Sequence, residues 1–336
     1  MFCPVNDDKW GNQSSPVRAS GVKAKISDLE DIWDGISRRF LSDGQLSPEF
    51  AVVVPCPCCG SREVRDGFAL KGFSHGTCCD CGTVYVSPRL TDDCLEELYS
   101  ADYYDALYNT SLIPMFDQRV QMIGRSKFAE VVRHRGTDLA GRVLDIGAGI
   151  GEVLEVFHQS GWSTHAIEMN GVAADWLASR GHDQVFRGPL GSDGSPSGPF
   201  EVVMAWGVVE HVVDPDDFLR QVRALLAPGG LFVSEVPNGQ SLLVDVVRET
   251  GLDPGRIVMG EQHITLYSEN AYRRVHERNG LKPVHIQTNG LDVSTVLERS
   301  GVEVPDWLLR AVQGSIDMRG QGDLLRGFWT PKPLEV

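Results

Sequence analysis

The stretch VLDIGAGIGE, residues 143–152, decides the fold. Its first half is an apolar strand that ends in an acid, and its second half places glycine at three alternate positions, Gly147, Gly149 and Gly151. Glycine tolerates positive φ and has no β-carbon, so a backbone built from it can approach a bound molecule closely. The stretch therefore predicts a ligand-binding turn between a first strand and the helix that follows it.

Strand and helix patterns alternate from Arg142 onward. The predicted strands are RVLDIG, STHAIEMN, QVFRG, FEVVMAWG and LFVSEVPN, and the predicted helices are EVLEVFHQSG, GVAADWLASRG and DPDDFLRQVRALLAPGG. This order is typical of an α/β protein with a doubly wound, mostly parallel sheet. In such a Rossmann-like fold the ligand lies beyond the carboxyl ends of the strands.

Two acids indicate what kind of ligand the turn binds. The motif is D-x-G-x-G-x-G instead of the G-x-G-x-x-G of dinucleotide sites, and Asp145 stands where the first strand ends. An acid at this position would repel a pyrophosphate but attract an ammonium group. Glu168 closes the second strand, where a carboxylate can accept both hydroxyls of a ribose. The acids therefore favour a nucleoside that carries an ammonium group.

Four segments resemble, in order and spacing, the motifs of class I S-adenosylmethionine-dependent methyltransferases over roughly residues 140–290. These segments are VLDIGAGIGEVLEVF, AIEMN, FEVVMAWGVVEHVVDP and LLAPGGLFVSEVPN. The resemblance implies that the glycines admit the methionine part of the cofactor, the first acid supports its amino group and the second acid holds the ribose. It also places a methionine against adenine and a backbone carbonyl of the fourth strand near the cofactor. The implied cofactor-binding residues are Asp145, Gly147, Gly149, Glu168, Met169 and Trp206.

Some features that the resemblance implies have alternatives in this sequence. Core packing is the alternative role for Met169 and Trp206. The segment RGPLG, from Arg187, offers no acid for the adenine amine, so backbone groups or a later side chain are expected to recognise it. The resemblance further implies that GQGDLLRGFWTPKP forms a last strand, antiparallel at or near the sheet edge.

Six of the eight cysteines fall in two clusters, CPCC at 56–59 and CCDC at 78–81. Each cluster contains a C-x-x-C pair followed by glycine, at the spacing of a four-cysteine zinc site. A zinc ribbon is predicted, with a disulfide-bonded or reduced loop as the alternative. Four protein ligands leave no open position, so the zinc is expected to support folding and not chemistry. Cys58 and Cys79 are expected to be non-ligands, and the expected ligands are Cys56, Cys59, Cys78 and Cys81.

The ribbon also contributes to the predicted function and domain organisation. From CPCCG to CCDCGTVYVSPRLTDDCLEELYSADYY, it is similar to the amino-terminal zinc module of bacterial methyltransferases that modify sugars or other biosynthetic intermediates. Within the first domain, a capping box of Ser27 and Glu30 predicts an amphipathic helix. The predicted domains are a tail and amphipathic helix (1–50), the ribbon (51–90), a helical connector (91–140) and the methyltransferase domain (141–336).

Composition restricts the partners. The formal net charge is −15, which argues against a nucleic-acid groove as the main working surface, because phosphate binding relies on clustered Lys and Arg. No apolar run reaches the length of a membrane span, and the first residues lack the pattern of a signal peptide. A cytoplasmic protein with a small-molecule acceptor, such as a sugar or nucleotide sugar, is expected.

Two histidines are the candidate catalytic residues. His211, in WGVVEHVVDP, is the first candidate for a general base that accepts a hydroxyl proton, and His263, in GEQHITLYSENAYRRVHERNGL, is the second. A structural role in bracing the loop is the alternative for His211. A further alternative is that both histidines, with Glu210 and Glu261, bind a divalent cation that acidifies a hydroxyl. The tyrosines at 103, 104 and 108 are candidates for lining the acceptor pocket.

Three functions compete at this stage. The favoured one is O-methylation of a sugar or biosynthetic intermediate, with C- or N-methylation of a nucleotide sugar as an alternative. The second is a methyltransferase of nucleic acid or protein, which would require a basic ribbon, but the charges of residues 50–90 cancel. The third, a noncatalytic binding module, is disfavoured by the intact glycine turn and Glu168.

Overall fold

The computed structural model of the protein describes residues 35, 37–99, 102–137 and 139–333. The amino-terminal tail and most of the helix predicted from Ser27 lie outside the described residues. Within those ranges, no helix combines the length and the apolar character that crossing a bilayer requires.

Short antiparallel strands make up the region that carries the cysteine clusters. Their bounds are β1 Leu41–Ser42, β2 Gln45–Leu46, β3 Ala51–Val52, β4 Val64–Leu70, β5 Phe73–Cys78, β6 Val84–Val86 and β7 Arg89–Leu90. The strands β4, β5 and β6 pair in sequence order, and a strand from much later in the chain, β13 (Thr265–Leu266), pairs with β6. The first cysteine cluster precedes β4 and the second joins β5 to β6, so the meander brings the two clusters together.

Helices connect this region to the large sheet. Their bounds are α1 Asp92–Tyr99, α2 Asp102–Leu107, α3 Phe116–Arg119 and α4 Arg125–Arg135, with π-helical turns at Tyr108–Leu112 and Val120–Gly124. The connector predicted over 91–140 is therefore helical, but π-helical turns interrupt it. A β-carbon on Gly124 would lie 2.1 Å from the carbonyl oxygen of Glu152. Glycine is thus required for the connector to pack directly on the first helix after the glycine turn.

Seven strands form the large sheet in the part of the chain that the structure describes. Their bounds are β8 Arg142–Ile146, β9 Ser163–Glu168, β10 Gln184–Arg187, β11 Phe200–Trp206, β12 Leu226–Pro237, β14 Leu281–Asn289 and β15 Leu324–Pro331. The spatial order is β10-β9-β8-β11-β12-β15-β14. Of these seven strands, β15 alone runs in the opposite direction, and it pairs antiparallel with both β12 and β14. The predicted α/β fold with a doubly wound, mostly parallel sheet is confirmed.

The last strand is antiparallel, as the resemblance implied, and lies second from the edge. The edge itself is β14, which was not predicted. Its sequence, LKPVHIQTN, contains Pro283 and alternates only weakly between buried and exposed residues. Proline is confined to edges and bulges in sheets, so the same feature that suits β14 to the edge weakens its signal in the sequence.

Helices follow most strands of the large sheet. Their bounds are α5 Glu152–Gln159, α6 Gly171–Ser179, α7 Pro215–Leu225, α8 Leu242–Thr250, α9 Glu269–Arg278, α10 Asp292–Arg299 and α11 Asp306–Met318. Four of them start at a polar residue whose side chain accepts a hydrogen bond from the backbone three residues later. These N-caps satisfy amide groups that the first turn leaves unpaired. The capping residues are Asn170, Asp214, Ser241 and Ser268.

The ribbon and the large sheet share one apolar core. Tyr85 of β6 and the buried cysteines Cys56, Cys58, Cys78 and Cys81 pack in the same cluster as Tyr267, Tyr272 and residues of β11 and β12. The pairing of β13 with β6 adds backbone hydrogen bonds to this contact. The ribbon is therefore held to the large sheet by both packing and strand pairing.

Candidate active site and metal centre

The glycine turn lies between β8 and α5, and glycine is needed at its positions for different physical reasons. A β-carbon on Gly151 would lie 2.5 Å from the Leu177 side chain, and one on Gly147 would lie 2.7 Å from that of Val208. A β-carbon on Gly149 would meet nothing closer than 3.7 Å, but its φ of +57° belongs to the left-handed region that favours glycine. Gly151 is therefore required by the packing against Leu177, and Gly149 by the backbone conformation of the turn.

The two predicted acids are both buried beside this turn. Asp145 is the penultimate residue of β8 and is 2% exposed, and its Oδ1 has no hydrogen-bond partner among the described residues. Burial, with the nearby Glu152, raises the pKa of Asp145 well above its usual range. Because a buried carboxylate without a cation is costly, a cationic group arriving near Asp145 would be stabilised.

Glu168 ends β9 and braces the glycine turn. Its Oε2 accepts a hydrogen bond from the Gly149 amide at 2.7 Å, and its Oε1 accepts one from the Asn170 amide at 2.8 Å. Burial raises the pKa of Glu168, although these amides oppose the shift. The carboxylate thus lies at the turn with its orientation fixed by backbone groups.

A cavity of about 460 Å³ opens at the carboxyl ends of β8, β9 and β11. Four of the predicted site residues line it: Gly147, Glu168, Met169 and His211. Met169 is 48% exposed, so its side chain belongs to the cavity wall and not to the core. Tyr104 and Tyr108 line the cavity too, whereas the side chain of Tyr103 lies outside the described residues.

Trp206, Asp145 and Gly149 are not on the wall of this cavity. The Trp206 ring lies under the Lys127 ammonium, whose Nζ is 4.1 Å from the ring centroid. Its indole Nε1 is buried and has no partner among the residues that the structure describes. The side chain of Trp206 therefore contacts a charged group from the connector instead of the cofactor cavity.

Two polar side chains of α7 line the cavity where the sequence offered no acid for adenine. Asp217 and Gln221 stand one helical turn apart, and the Gln221 Nε2 donates to the Asp217 Oδ2 at 2.6 Å. They face the same cavity as the backbone from Gly188 to Leu190. Sequence reasoning missed them, although their i, i+4 spacing behind the Asp214 cap is a detectable signal.

A second, larger cavity of about 850 Å³ is lined by charged groups and shares no lining residue with the first. The Lys127 Nζ lies 2.9 Å from a Glu235 carboxylate oxygen, and Arg326 bonds both Glu235 and Glu130. Burial alone would raise the pKa of Glu235, but the neighbouring Arg326 and Lys127 lower it to about 2. The strands β12, β14 and β15 contribute to this wall through residues such as Glu235, Gln287 and Arg326.

His211 and His263 come together, as do the loops that carry them. Their ring centroids are 4.9 Å apart, and the His211 Nε2 lies 4.0 Å from the Glu210 Oε1. One donor atom from each of these three residues lies within 4.8 Å of the others. Burial lowers the pKa of His211 to about 3 and that of His263 to about 4. Glu261 is not part of the group and lines a different cavity.

The four predicted zinc ligands form a compact group of thiols. The Sγ atoms of Cys56 and Cys81 are 3.5 Å apart, as are those of Cys59 and Cys78, and all four lie within 4.8 Å of one another. Tetrahedral zinc with bonds of about 2.3 Å requires sulfur separations of about 3.8 Å. The thiols therefore fit a zinc ion.

The raised pKa values of the cysteine thiols also favour a bound cation. The neighbouring Cys56 thiol and burial raise the pKa of Cys81 to about 12, and burial raises that of Cys59 to about 11. A divalent cation removes this penalty, because it stabilises the thiolates. Cys58 and Cys79 stay outside the group, in agreement with their expected role as non-ligands.

Comparison with known proteins places residues 120–286 in a family model described as a methyltransferase domain. The ubiquinone biosynthesis O-methyltransferase of Caulobacter sp. (strain K31) is 38% identical over 103 residues, which are 29% of this chain and 41% of that protein. The tRNA U34 carboxymethyltransferase of Colwellia psychrerythraea (strain 34H / ATCC BAA-681) is 28% identical over 216 residues, 58% of this chain and 61% of that protein.

Among solved structures, the magnesium protoporphyrin IX methyltransferase of Synechocystis PCC 6803 with bound SAH is 11% identical. It aligns with a TM-score of 0.48, over 72% of this chain and all of that one. The match to the ubiquinone enzyme spans less than half of that protein's length. The family match over residues 120–286 shows that the chain contains a methyltransferase domain, and the strand order agrees with the Rossmann-like fold predicted for it.

Proposed function

We propose that this protein transfers a methyl group from S-adenosylmethionine to a hydroxyl oxygen of a small biosynthetic molecule. The observation that carries the proposal is the cavity of about 460 Å³ at the carboxyl ends of β8, β9 and β11. It has the glycine turn and Glu168 on one side and the His211 loop on the other. A ligand in this position is what the fold class requires.

Each predicted cofactor-binding residue has a proposed role, including the three that are not on the cavity wall. The buried Asp145 carboxylate supports the ammonium group of the cofactor, and Glu168 accepts the ribose hydroxyls. Gly147 and Gly149 admit the methionine part, and Met169 covers the adenine. Trp206 is proposed to contribute through its backbone only, since its ring contacts Lys127. Recognition of the adenine amine is assigned to α7, where the carboxylate and side-chain amide are Asp217 and Gln221.

The cysteine group is proposed to hold a structural zinc ion. Four sulfur ligands close the coordination shell, so this ion takes no part in methyl transfer. Its role is to fix the two cysteine turns, and with them the β6 strand that pairs with β13. Because β13 directly follows His263, the ribbon supports the histidine side of the cavity.

Oxygen is the favoured acceptor atom. Several curated relatives, at 34–38% identity, are O-methyltransferases of ubiquinone biosynthesis, which supports a hydroxyl acceptor over carbon or nitrogen. A sugar or nucleotide sugar is proposed as the acceptor because the ribbon is similar to the zinc module of bacterial methyltransferases that modify sugars. The charged wall with Lys127, Glu130 and Arg326 favours a polar acceptor. A tRNA substrate is the second candidate, because one relative carries that name, but the formal charge of −15 disfavours it.

Methyl transfer to a hydroxyl requires that the acceptor loses a proton, since the sulfonium already supplies a reactive methyl group. The histidines at 211 and 263 are the proposed residues for this step. His211 is on the cavity wall and His263 lies behind it.

Calorimetry with S-adenosylhomocysteine tests the cofactor site. Wild-type protein should bind it, and Glu168→Gln should bind at least about tenfold more weakly, the loss expected for charged ribose hydrogen bonds. Glu249→Gln, at an exposed position of α8, is the matched control and should bind like wild type. A wild type without affinity for the nucleoside contradicts the proposal.

Transfer of a labelled methyl group tests the acceptor. The panel should include hydroxylated aromatic intermediates, nucleotide sugars and unmodified tRNA, each with wild type and Glu168→Gln. Label in a hydroxylated small molecule supports the proposal. Label in tRNA alone supports the second candidate and overturns the first.

A further inference from the structure

Two separate segments bring three potential metal ligands together beside the cofactor cavity. Glu210 and His211 belong to the short helical turn after β11, and His263 belongs to the turn before β13. The segments are tied by the His211 ring, whose Nδ1 lies 2.9 Å from the Gln262 carbonyl oxygen. The three donor atoms come within 4.8 Å of one another, and His211 reaches the cavity wall.

Both histidine rings are oriented by backbone carbonyls. The His263 Nδ1 lies 2.6 Å from the Ile257 carbonyl oxygen, and the His211 Nδ1 makes the corresponding contact with Gln262. A carbonyl only accepts, so each Nδ1 carries the hydrogen and each Nε2 carries the lone pair. Histidines that ligate metals through Nε2 are held in this way, with the other ring nitrogen donating to a carbonyl or carboxylate.

The third member, Glu210, is a buried carboxylate with an unsatisfied oxygen. It is 3% exposed, and its Oε2 has no hydrogen-bond partner in the part of the chain that the structure describes. Burial raises the pKa of Glu210 to about 8. Lys127 and Arg256, the cations from neighbouring elements, are already bonded to Glu235 and Asp323. An ion between Glu210 and the two rings would compensate this carboxylate.

We propose that Glu210, His211 and His263 bind a divalent transition-metal ion that activates the acceptor hydroxyl. Two imidazoles and a carboxylate suit Zn²⁺, Fe²⁺ or Mn²⁺, and three protein ligands leave a position open, as in catalytic metal sites. Bonds of about 2.1 Å place cis ligands about 3.0 to 3.4 Å apart, so small side-chain rotations close the present group around the ion. The site is distinct from the four thiols of the ribbon.

This inference rests on the proposed methyl transfer, because the ion would take part in that reaction. The acceptor hydroxyl oxygen occupies the open position, where the positive charge lowers its pKa, and its proton passes to solvent. The oxygen lone pair then attacks the methyl carbon, and the carbon–sulfur bond breaks with its electron pair going to sulfur. The products are the methyl ether, S-adenosylhomocysteine and one proton.

Binding of Mn²⁺, followed by electron paramagnetic resonance on the full chain with zinc already bound, tests the site. Mn²⁺ prefers oxygen and nitrogen ligands, so it does not replace zinc at four thiolates. Wild type should bind one Mn²⁺, and both His263→Asn and Glu210→Gln should weaken binding at least about tenfold. His158→Asn, at an exposed position, is the matched control and should bind like wild type. Calorimetry with S-adenosylhomocysteine checks that each variant is folded.

The outcomes separate this inference from the proposed function. A wild type that binds the nucleoside but no Mn²⁺ overturns the metal site and leaves the histidines as bases. Methyl transfer that resists a chelator and survives Glu210→Gln overturns it too. A wild type that binds Mn²⁺ at these residues but not the nucleoside supports the metal site, while the proposed methyl transfer fails.

Discussion

The Ser268 hydroxyl donates a hydrogen bond of 2.5 Å to the carbonyl oxygen of Cys81. The Ser268 hydroxyl oxygen in turn accepts a hydrogen bond from the Ala271 amide at 3.1 Å and so caps α9. One side chain therefore joins a cysteine turn of the ribbon to a helix of the methyltransferase sheet. The contact is fully buried, since Ser268 is 1% exposed.

Ser268→Ala should destabilise the protein by about 2 kcal/mol, of which a lost cap contributes about 1 and the bond to the ribbon about 1. Ser241→Ala is the matched control, because Ser241 is equally buried and caps α8 without touching the ribbon. It should cost only about 1 kcal/mol. Urea unfolding measures both free energies. Equal losses in the two variants would mean that the bond to Cys81 contributes nothing.

Replacing a zinc ligand should unfold more than the ribbon. Cys56→Ser should lose zinc and lower the thermal midpoint of the whole domain, because the thiols share a core with Tyr267 and Tyr272. Cys79→Ser is the control, since Cys79 is exposed and outside the thiol group. It should keep one zinc per chain by metal analysis. Loss of zinc in Cys79→Ser, or an unchanged midpoint in Cys56→Ser, contradicts this prediction.

The central strands, which are buried on both faces, have the clearest signal in the sequence, although the exposed edge strand β10 was also predicted, from QVFRG. Their continuous Val, Leu and Ile runs between glycine turns and capped helices leave little choice of structure, and β8, β9, β11 and β12 lie where these patterns place them. The edge strand β14 lacks such a run, because it is largely exposed and contains Pro283. Local patterns therefore describe the centre of the sheet better than its edge.

Site residues also divide into those that local sequence motifs identify and those that only the folded structure brings together. Glu168 and the cysteines stand at fixed distances from local motifs, so sequence spacing identifies them. Glu235 and Lys127 meet across 108 residues, and nothing local marks either of them. Sequence spacing also could not predict that His263 lies close to Glu210 and that its near neighbour Glu261 does not. These contacts depend on how the connector and β13 pack, which only the folded chain defines.

The glycine turn offers a way to separate folding from cofactor binding. Gly151→Ala should cost about 2 to 4 kcal/mol, since it adds a clash with Leu177 to the strain of a left-handed φ. Gly149→Ala should cost only about 1 kcal/mol but weaken S-adenosylhomocysteine binding, because the turn approaches the ligand there. Unfolding curves and calorimetry measure the two effects.

The control for strain alone is Gly136→Ala at the end of α4. Its φ is +76°, but a β-carbon there would meet nothing within 4 Å. It should cost about 1 kcal/mol and leave nucleoside binding unchanged. If Gly151→Ala is no worse than Gly136→Ala, the packing argument for Gly151 is wrong.

Acid should destabilise the protein partly through Glu235. Lys127 and Arg326 lower its folded pKa to about 2, against about 4.5 for a free glutamate, in spite of burial. A depressed acid pKa stabilises the fold above pH 4.5, and that contribution is lost as the pH falls from about 4.5 to about 2. The loss should be on the order of 2 to 3 kcal/mol.

Glu235→Gln removes the charge but keeps the size of the side chain, so it isolates this contribution. At pH 7 the variant should be less stable than wild type, because Lys127 and Arg326 lose a buried partner. Between pH 4.5 and 2 the gap should narrow, since wild type protonates the same group. Urea unfolding of both proteins at several pH values measures the gap. A constant difference across this range would mean that Glu235 is not the group whose protonation weakens the fold.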